Sequence, residues 1–237
     1  MTEQHRIVVI GTGFAGIGMA VRLKQAGYDD FVVLERADDV GGTWRDNTYP
    51  GCRCDVPSHL YSFSFAPNPD WSSTFSPQPE IEDYLRNVTD AFGVRPHIRF
   101  GHAVESANWE DGRWRITTGA GEFTADIVLS GMGPLAEPSY PKLPGIEDFE
   151  GEVFHSARWN HDLNLSGRKV AVIGTGASAI QFVPRIAPAV GRLDLFQRTA
   201  PWVIHRRNRR ISRLERRLFR AVPASQRLLR AGLFLVQ

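Results

Sequence analysis

Two stretches of the 237-residue chain repeat one another at an offset of 163. An apolar run at residues 6–10 (RIVVI) passes directly into GTGFAG at 11–16, and another at 169–173 (KVAVI) passes into GTGASA at 174–179. Each is followed by apolar residues at helical spacing: Ile17, Ala20, Val21 and Leu23 in the first copy, Ile180, Phe182, Val183 and Ile186 in the second. Gly27 supplies a stop for the first helix. A second apolar run closes each copy, FVVLE at 31–35 and LDLFQ at 193–197. Strand, glycine turn, helix and strand, twice over, predict an α/β chain built on two Rossmann-like dinucleotide-binding domains.

The glycines carry the chemistry. Gly11 permits a tight turn, Gly13 lets the backbone approach a pyrophosphate, and Gly16 lets the helix pack close to the strand. Phe14 and Ala15 fall in the same turn and are counted with them as cofactor-binding candidates. Gly174 and Gly176 take the first two roles in the second copy, with Ala179 as the small residue in the third. The free N–H groups and positive end of each helix then face phosphate. One such motif is weak evidence, because glycine-rich turns are common; two in strand–turn–helix context are specific. Counting 24 residues from the first glycine reaches Glu35 in one copy and Arg198 in the other. A carboxylate there accepts from ribose hydroxyls and repels a 2′-phosphate, whereas an arginine pairs with that phosphate. One site for an unphosphorylated ribose and one for NADP(H) are expected, with Thr199 and Lys169 as secondary candidates and a plain surface arginine as the competing reading of Arg198.

Between the copies, residues 41–61 mix Gly, Pro, Cys and aromatics, a composition suited to a loop over a flat ligand. Residues 103–129 alternate apolar and polar around turns at Asp111-Gly112 and 119–121, predicting an antiparallel meander of three short strands, with a return strand at 126–130. A Pro-rich stretch at 134–144 reads as an interdomain connection. No apolar run approaches the ~18 residues that span a bilayer, and the N-terminus lacks a secretory signal. Cys52 and Cys54 are too close for an easy disulfide and too few for zinc, so no metal is expected and a soluble, reducing, cytoplasmic setting fits. The charge is uneven: residues 198–237 hold eleven arginines and one acid, within a net charge of +2. Leu214, Leu218, Val222, Leu229, Leu233 and Phe234 stand near helical spacing in this tail.

Two longer patterns carry a resemblance. F-x-G-x-x-x-H-x-x-x-W is met by Phe149, Gly151, His155 and Trp159, with Asn160 where Pro or Asp is usual. G-G-x-W-x4-Y-P-G-x3-D is met by Gly41, Gly42, Trp44, Tyr49, Pro50, Gly51 and Asp55. With these the chain resembles flavin-dependent Baeyer–Villiger monooxygenases, of the class B flavoprotein monooxygenases, from about residue 6 to residue 202. The resemblance implies an FAD-binding domain at 1–133 that lacks its C-terminal completion, a linker at 134–166 carrying the fingerprint, and a partial NADP-binding domain with a basic helical tail at 167–237. It implies FAD on Gly11, Gly13, Gly16, Glu35, Gly42, Thr43 and Trp44, with Asp55 and Tyr61 near the isoalloxazine, and NADPH on Gly174, Gly176, Ser178 and Arg198.

The implied reaction inserts one oxygen atom of O2 into a ketone through a flavin peroxide, giving an ester or lactone. Asp55, His155 and Trp159 are the implied catalytic set: Asp55 to position the nicotinamide, the other two to couple domain motion to turnover. A turn-forming aspartate, a hydrogen-bonded structural histidine and a packed core tryptophan are the competing readings. Cys52 and Cys54 read as inert thiols near the cofactor. The late arginine and C-terminal return segment that such enzymes use are missing, so the chain reads as the N-terminal portion of a longer enzyme. The apolar tail stripe is then expected to pack on residues outside this chain; contact with a membrane surface competes with that reading, and a nucleic-acid arm is disfavoured. An N- or S-oxygenating flavin monooxygenase, a non-catalytic truncated flavoprotein and a membrane adaptor are the alternative functions.

Overall fold

Strands that are apolar on both faces fit only a sheet covered on both sides. The computed structural model describes residues 2–135, 137–204 and 206–236, and builds the first copy in that way. β1 (Thr2–Ile10) and β2 (Phe31–Leu34) run parallel, with residues 7–10 in register with 31–34. All four β2 residues are buried, as are Val8 and Val9 on opposite faces of β1. Each such aliphatic side chain contributes about 1.5–3 kcal/mol of transfer free energy. α1 (Phe14–Gln25) connects the two strands and buries Ile17, Ala20 and Val21. It ends where predicted: Gly27 takes a left-handed φ of 79°, and the N–H groups of Gly27 and Tyr28 return to the carbonyls of Lys24 and Leu23.

Four more strands complete a six-stranded sheet: β3 (Ile98–Arg99), β4 (Val104–Glu110), β5 (Arg113–Thr118) and β6 (Gly121–Ser130), in the order β3-β2-β1-β6-β5-β4. The predicted meander is present, turning at Asp111 and Gly112, both with positive φ. One detail differs. The third meander strand and the return strand are a single strand, because β6 pairs antiparallel with β5 over residues 121–125 and parallel with β1 along residues 122–130. Val8, Ile10, Val32, Leu34, Ile116, Phe123 and Ala125 form one core cluster across this mixed sheet.

The chain divides into two compact units that are discontinuous in sequence. The first holds the residues up to Asp46 together with Ile81–Glu137; the second holds Asn47–Glu80 with the residues from Pro138 onward. The first therefore contains the whole six-stranded sheet and α2 (Thr43–Asp46). α3 (Gln78–Ala91) begins in the second unit's segment, and its buried Ile81, Tyr84, Leu85 and Val88 recur at helical spacing in the first.

In the second unit, β7 (Lys169–Ile173), α4 (Ala179–Ile186) and β8 (Arg192–Phe196) repeat the strand–helix–strand order, with β7 and β8 paired parallel. α4 buries Ala179, Phe182 and Ile186, while Ile180 is exposed. The basic tail forms α5 (Arg213–Ala221) and α6 (Pro223–Val236), interrupted at Val222 because Pro223 cannot continue a helix. The expected leucine stripe is not the face that docks within this unit: Leu214 is 76% exposed and Phe234 74%. Docking instead uses buried Ile211, Phe219 and Gln226. The Gln226 side-chain amide donates to Asn68 O at 2.6 Å and lies 3.0 Å from His59 Nδ1, and Arg230 donates to the carbonyls of His59, Leu60 and Ser62. Polar contacts join the apolar ones because the 59–68 loop offers carbonyls that need donors. Among the described residues no helix is long and apolar enough to cross a membrane.

Candidate functional site: two glycine cradles

In the first unit the turn after β1 is closed from three sides. The Gly11 N–H donates to Leu34 O at 2.8 Å, the Gly131 N–H to Ile10 O at 2.8 Å, and the Gly41 N–H to Thr12 O at 3.0 Å. A Cβ on Gly16 would lie 1.8 Å from the Gly11 carbonyl oxygen, and one on Gly42 would lie 3.0 Å from Gly13 Cα. The turn therefore exists only with backbone packed on backbone. Gly13 differs from both. Its φ of −75° is ordinary, and an added Cβ would meet only Gly42 Cα at 3.9 Å. Neither conformation nor packing requires glycine there, so the space it leaves suits a ligand. α1 starts with no side-chain cap and no acid in its first turn, leaving its positive end for an anion. Phe14 and Ala15 open that turn, with Phe14 stacked on Tyr84 at 6.1 Å.

Glu35 is buried beside this cradle. Its Oε2 accepts from the Thr12 N–H at 2.9 Å and the Thr12 hydroxyl at 2.6 Å. Its Oε1 accepts from the Ala37 N–H at 3.0 Å and Arg45 Nη1 at 3.1 Å. Three of these donors are fixed N–H groups, so the rotatable Thr12 hydroxyl is the one a ribose hydroxyl can replace. Arg45 is anchored further by Asp39 O and Asp46; burial opposes its charge, but Asp46 and Glu35 outweigh that and raise its pKa. Thr43 is exposed and Trp44 buried on α2.

The G-G-x-W-x4-Y-P-G-x3-D pattern is divided between the units. Gly41, Gly42 and Trp44 belong with the first cradle; Tyr49, Gly51 and Asp55 belong to the unit holding the second. There the loop is stitched onto α4. The Gln181 side chain accepts from the Arg53 N–H at 2.8 Å and donates to Arg53 O at 3.0 Å, imitating a strand partner. Tyr49 meets Phe182 edge-on at 6.1 Å, and its hydroxyl lies near Ser178 and Cys52. Burial pushes the Tyr49 phenol up to about 12 and the Cys54 thiol up to about 11, and raises Cys52 as well, so both free cysteines stay protonated. Asp55 is exposed, and the Tyr61 N–H donates to Pro57 O.

His155 caps a short 3-10 turn, its Nδ1 accepting from the Ala157 N–H at 3.1 Å, while its ring packs edge-on against Tyr140. Trp159 packs on Phe182 at 5.1 Å and on Phe154 at 5.2 Å. Both fingerprint residues thus support the second unit, Trp159 directly behind the helix that follows the glycine turn. Among the described residues no group of three or more His, Cys, Asp or Glu is placed to hold a metal ion.

The second turn repeats the first, in a unit whose paired strands are one residue closer along the chain. The Gly174 N–H donates to Phe196 O at 2.9 Å, as Gly11 does to Leu34. Ile10 pairs with Leu34 and Ile173 with Phe196. The counterpart of Glu35 is therefore Gln197, and that of Arg36 is Arg198; the count of 24 residues overshoots by one in the second copy. The side chains agree, since Thr12 bonds Glu35, and Gln197 Nε2 donates to Thr175 Oγ1 at 2.9 Å. Gly174 needs its φ of 102°, whereas Gly176, like Gly13, has no left-handed φ, and an added Cβ there would meet nothing within 4 Å. Arg198 and Thr199 are exposed. Thr12, Arg45, Gly131, Gln181 and Gln197 were not singled out from the sequence. The threonine shared by both GTG turns was the visible signal for two of them.

Residues 8–223 match the family described as Pyridine nucleotide-disulphide oxidoreductase. The chain belongs to that family. Within this oxidoreductase family it is similar to a Baeyer-Villiger monooxygenase of Streptomyces coelicolor, 59% identical over 98% of this chain and 45% of the relative. A Baeyer-Villiger monooxygenase of Pseudomonas aeruginosa is 50% identical over 97% of this chain and 44% of the relative. Among solved structures, cyclohexanone monooxygenase from Rhodococcus sp. Phi1 bound to NADP+ superposes with a TM-score of 0.86 and 36% identity, over 95% of this chain and 44% of that one. The chain spans a little under half the length of the relatives it matches.

Proposed function

We propose that the chain supplies the two dinucleotide sites of a Baeyer–Villiger monooxygenase that uses FAD and NADPH. The observation that carries this is the pair of cradles at Gly13 and Gly176, where the fold itself has no need of glycine. FAD is assigned to Gly11, Gly13, Phe14, Ala15, Gly16, Glu35, Gly42, Thr43 and Trp44, with Asp55 and Tyr61 toward its ring. NADPH is assigned to Gly174, Gly176, Ser178, Arg198 and Thr199.

The residues fit these groups by charge and shape. The uncapped start of α1 and the start of α4 are free of acids in their first turns and present N–H groups to pyrophosphates. Glu35 accepts a ribose hydroxyl and keeps a 2′-phosphate away; Arg198 pairs with one. When bound, the two cofactors deliver electrons to O2 so that one oxygen atom enters a ketone and gives an ester or lactone. In this reading Asp55 orients the nicotinamide end, and His155 and Trp159 hold the fingerprint segment in place.

The test is a spectroscopic titration of the purified chain. FAD is expected to remain with the protein through gel filtration, and NADPH to bleach it anaerobically. A chain that retains neither nucleotide overturns the assignment. For the whole polypeptide, NADPH consumption that rises with added cyclic ketone and yields lactone separates this reading from N- or S-oxygenation.

A further inference from the structure

Resting on the reading of the second copy as the NADPH site, we infer that Gln197, the structural counterpart of Glu35, sets its preference for a phosphorylated ribose. Strand pairing in both copies puts Gln197 where the first copy has Glu35. An arginine follows in each: Arg36 and Arg198. Arginine at this position is therefore common to the two copies and cannot by itself distinguish them.

What differs is the charge around it. In the first copy Arg36 is ion-paired with Asp46 and Glu137 and follows Glu35 in the chain. Its positive charge is spent on these two acids, while Glu35 is itself paired with Arg45. In the second copy the residue before Arg198 is a neutral amide whose Nε2 donates to Thr175 Oγ1. No acid is paired with Arg198 among the described residues, so its guanidinium is left for an incoming dianion. Gln197 keeps the tie to the turn threonine that Glu35 makes in the first copy, but without the carboxylate charge that would oppose a 2′-phosphate. A carboxylate here would set a full negative charge beside a doubly negative group, a repulsion large enough to reverse the preference.

The experiment titrates the 237-residue chain with NADPH, NADH, adenosine 2′,5′-bisphosphate and AMP, by calorimetry at constant ionic strength. Gln197→Glu is expected to lower the affinity for the 2′-phosphorylated ligands by about tenfold or more, while NADH and AMP hold or gain. Gln197→Met removes the amide without adding charge and is expected to keep the wild-type ratio. If Q197E leaves the NADPH-to-NADH ratio within about twofold of wild type, the inference fails while the NADPH assignment stands. If Q197M loses discrimination as fully as Q197E, the bond to Thr175 is the cause and the charge argument fails. A wild-type chain that binds the phosphorylated and unphosphorylated ligands equally overturns the NADPH assignment itself.

Discussion

The two glycine turns start from the same three letters, GTG, yet they are held in opposite ways. In the first copy the third small residue is Gly16, with no room for a methyl group against the Gly11 carbonyl. The second copy carries Ala179 there, itself buried, so that turn accommodates the methyl group that the first excludes. The first strand pair is flanked by β3 and β6 in a six-stranded sheet; the second is two strands alone among the described residues. Glu35 is fixed by four donors, whereas Gln197 makes one side-chain bond to Thr175. The difference teaches that one turn sequence can be locked by its own backbone or left adaptable, depending on what surrounds it.

The sharpest way to break that comparison is to exchange the third residues. Gly16→Ala forces the Gly11 carbonyl to move, and is expected to destabilise the first unit by about 3 kcal/mol or more and abolish FAD retention, read by urea unfolding and flavin absorbance. Ala179→Gly is expected to cost only about 1 kcal/mol. Equal losses would mean the two turns are equally locked. Next in size is Glu35→Gln, which leaves the Arg45 guanidinium short of a buried counter-charge. A loss of about 2–4 kcal/mol in thermal unfolding is expected, and a neutral result would show that Asp46 and the Asp39 carbonyl hold Arg45 without it.

Smaller in stability, but decisive for function, are Gly13→Ala and Gly176→Ala. Each is expected to leave unfolding within about 1 kcal/mol of wild type while weakening its own nucleotide by tenfold or more. Comparable unfolding with intact nucleotide binding would sink the cradle reading.

The mildest effect concerns pH in the second unit. Burial lowers the pKa of His59, with the Arg209 and Arg230 charges adding to it against Glu215. The unfolded chain then binds the proton first, so the contribution to stability is complete above the ordinary value of 6.5 and declines as pH falls below it. A modest drop in melting temperature between pH 7 and 5.5 is expected, and His59→Gln should flatten it. An unchanged slope in that variant would remove His59 as the source.

Much of this was legible from residue order. The strand–turn–helix–strand repeat, the stop at Gly27 and the meander turn at Asp111-Gly112 all follow from local rules of φ and alternation. So does the candidacy of Gly11, Gly13, Gly16, Gly174 and Gly176. The misplaced equivalence of Glu35 and Arg198 came from counting along a chain in which the second copy is one residue shorter. Register in a parallel pair is set by hydrogen bonds between strands, not by distance in sequence. The tail's leucine spacing says nothing of which other residues dock it: Gln226 and Arg230 reach the carbonyls of the 59–68 loop.

The order of amino acids alone therefore determined the elements and the two glycine turns, because backbone conformation and apolar periodicity are local properties. Only the tertiary structure decided which residues face one another: Gln197 opposite Thr175, Gln181 on the Arg53 backbone, Arg45 on Glu35. Those are contacts between segments far apart in the chain, fixed by strand register and packing that no window of sequence contains.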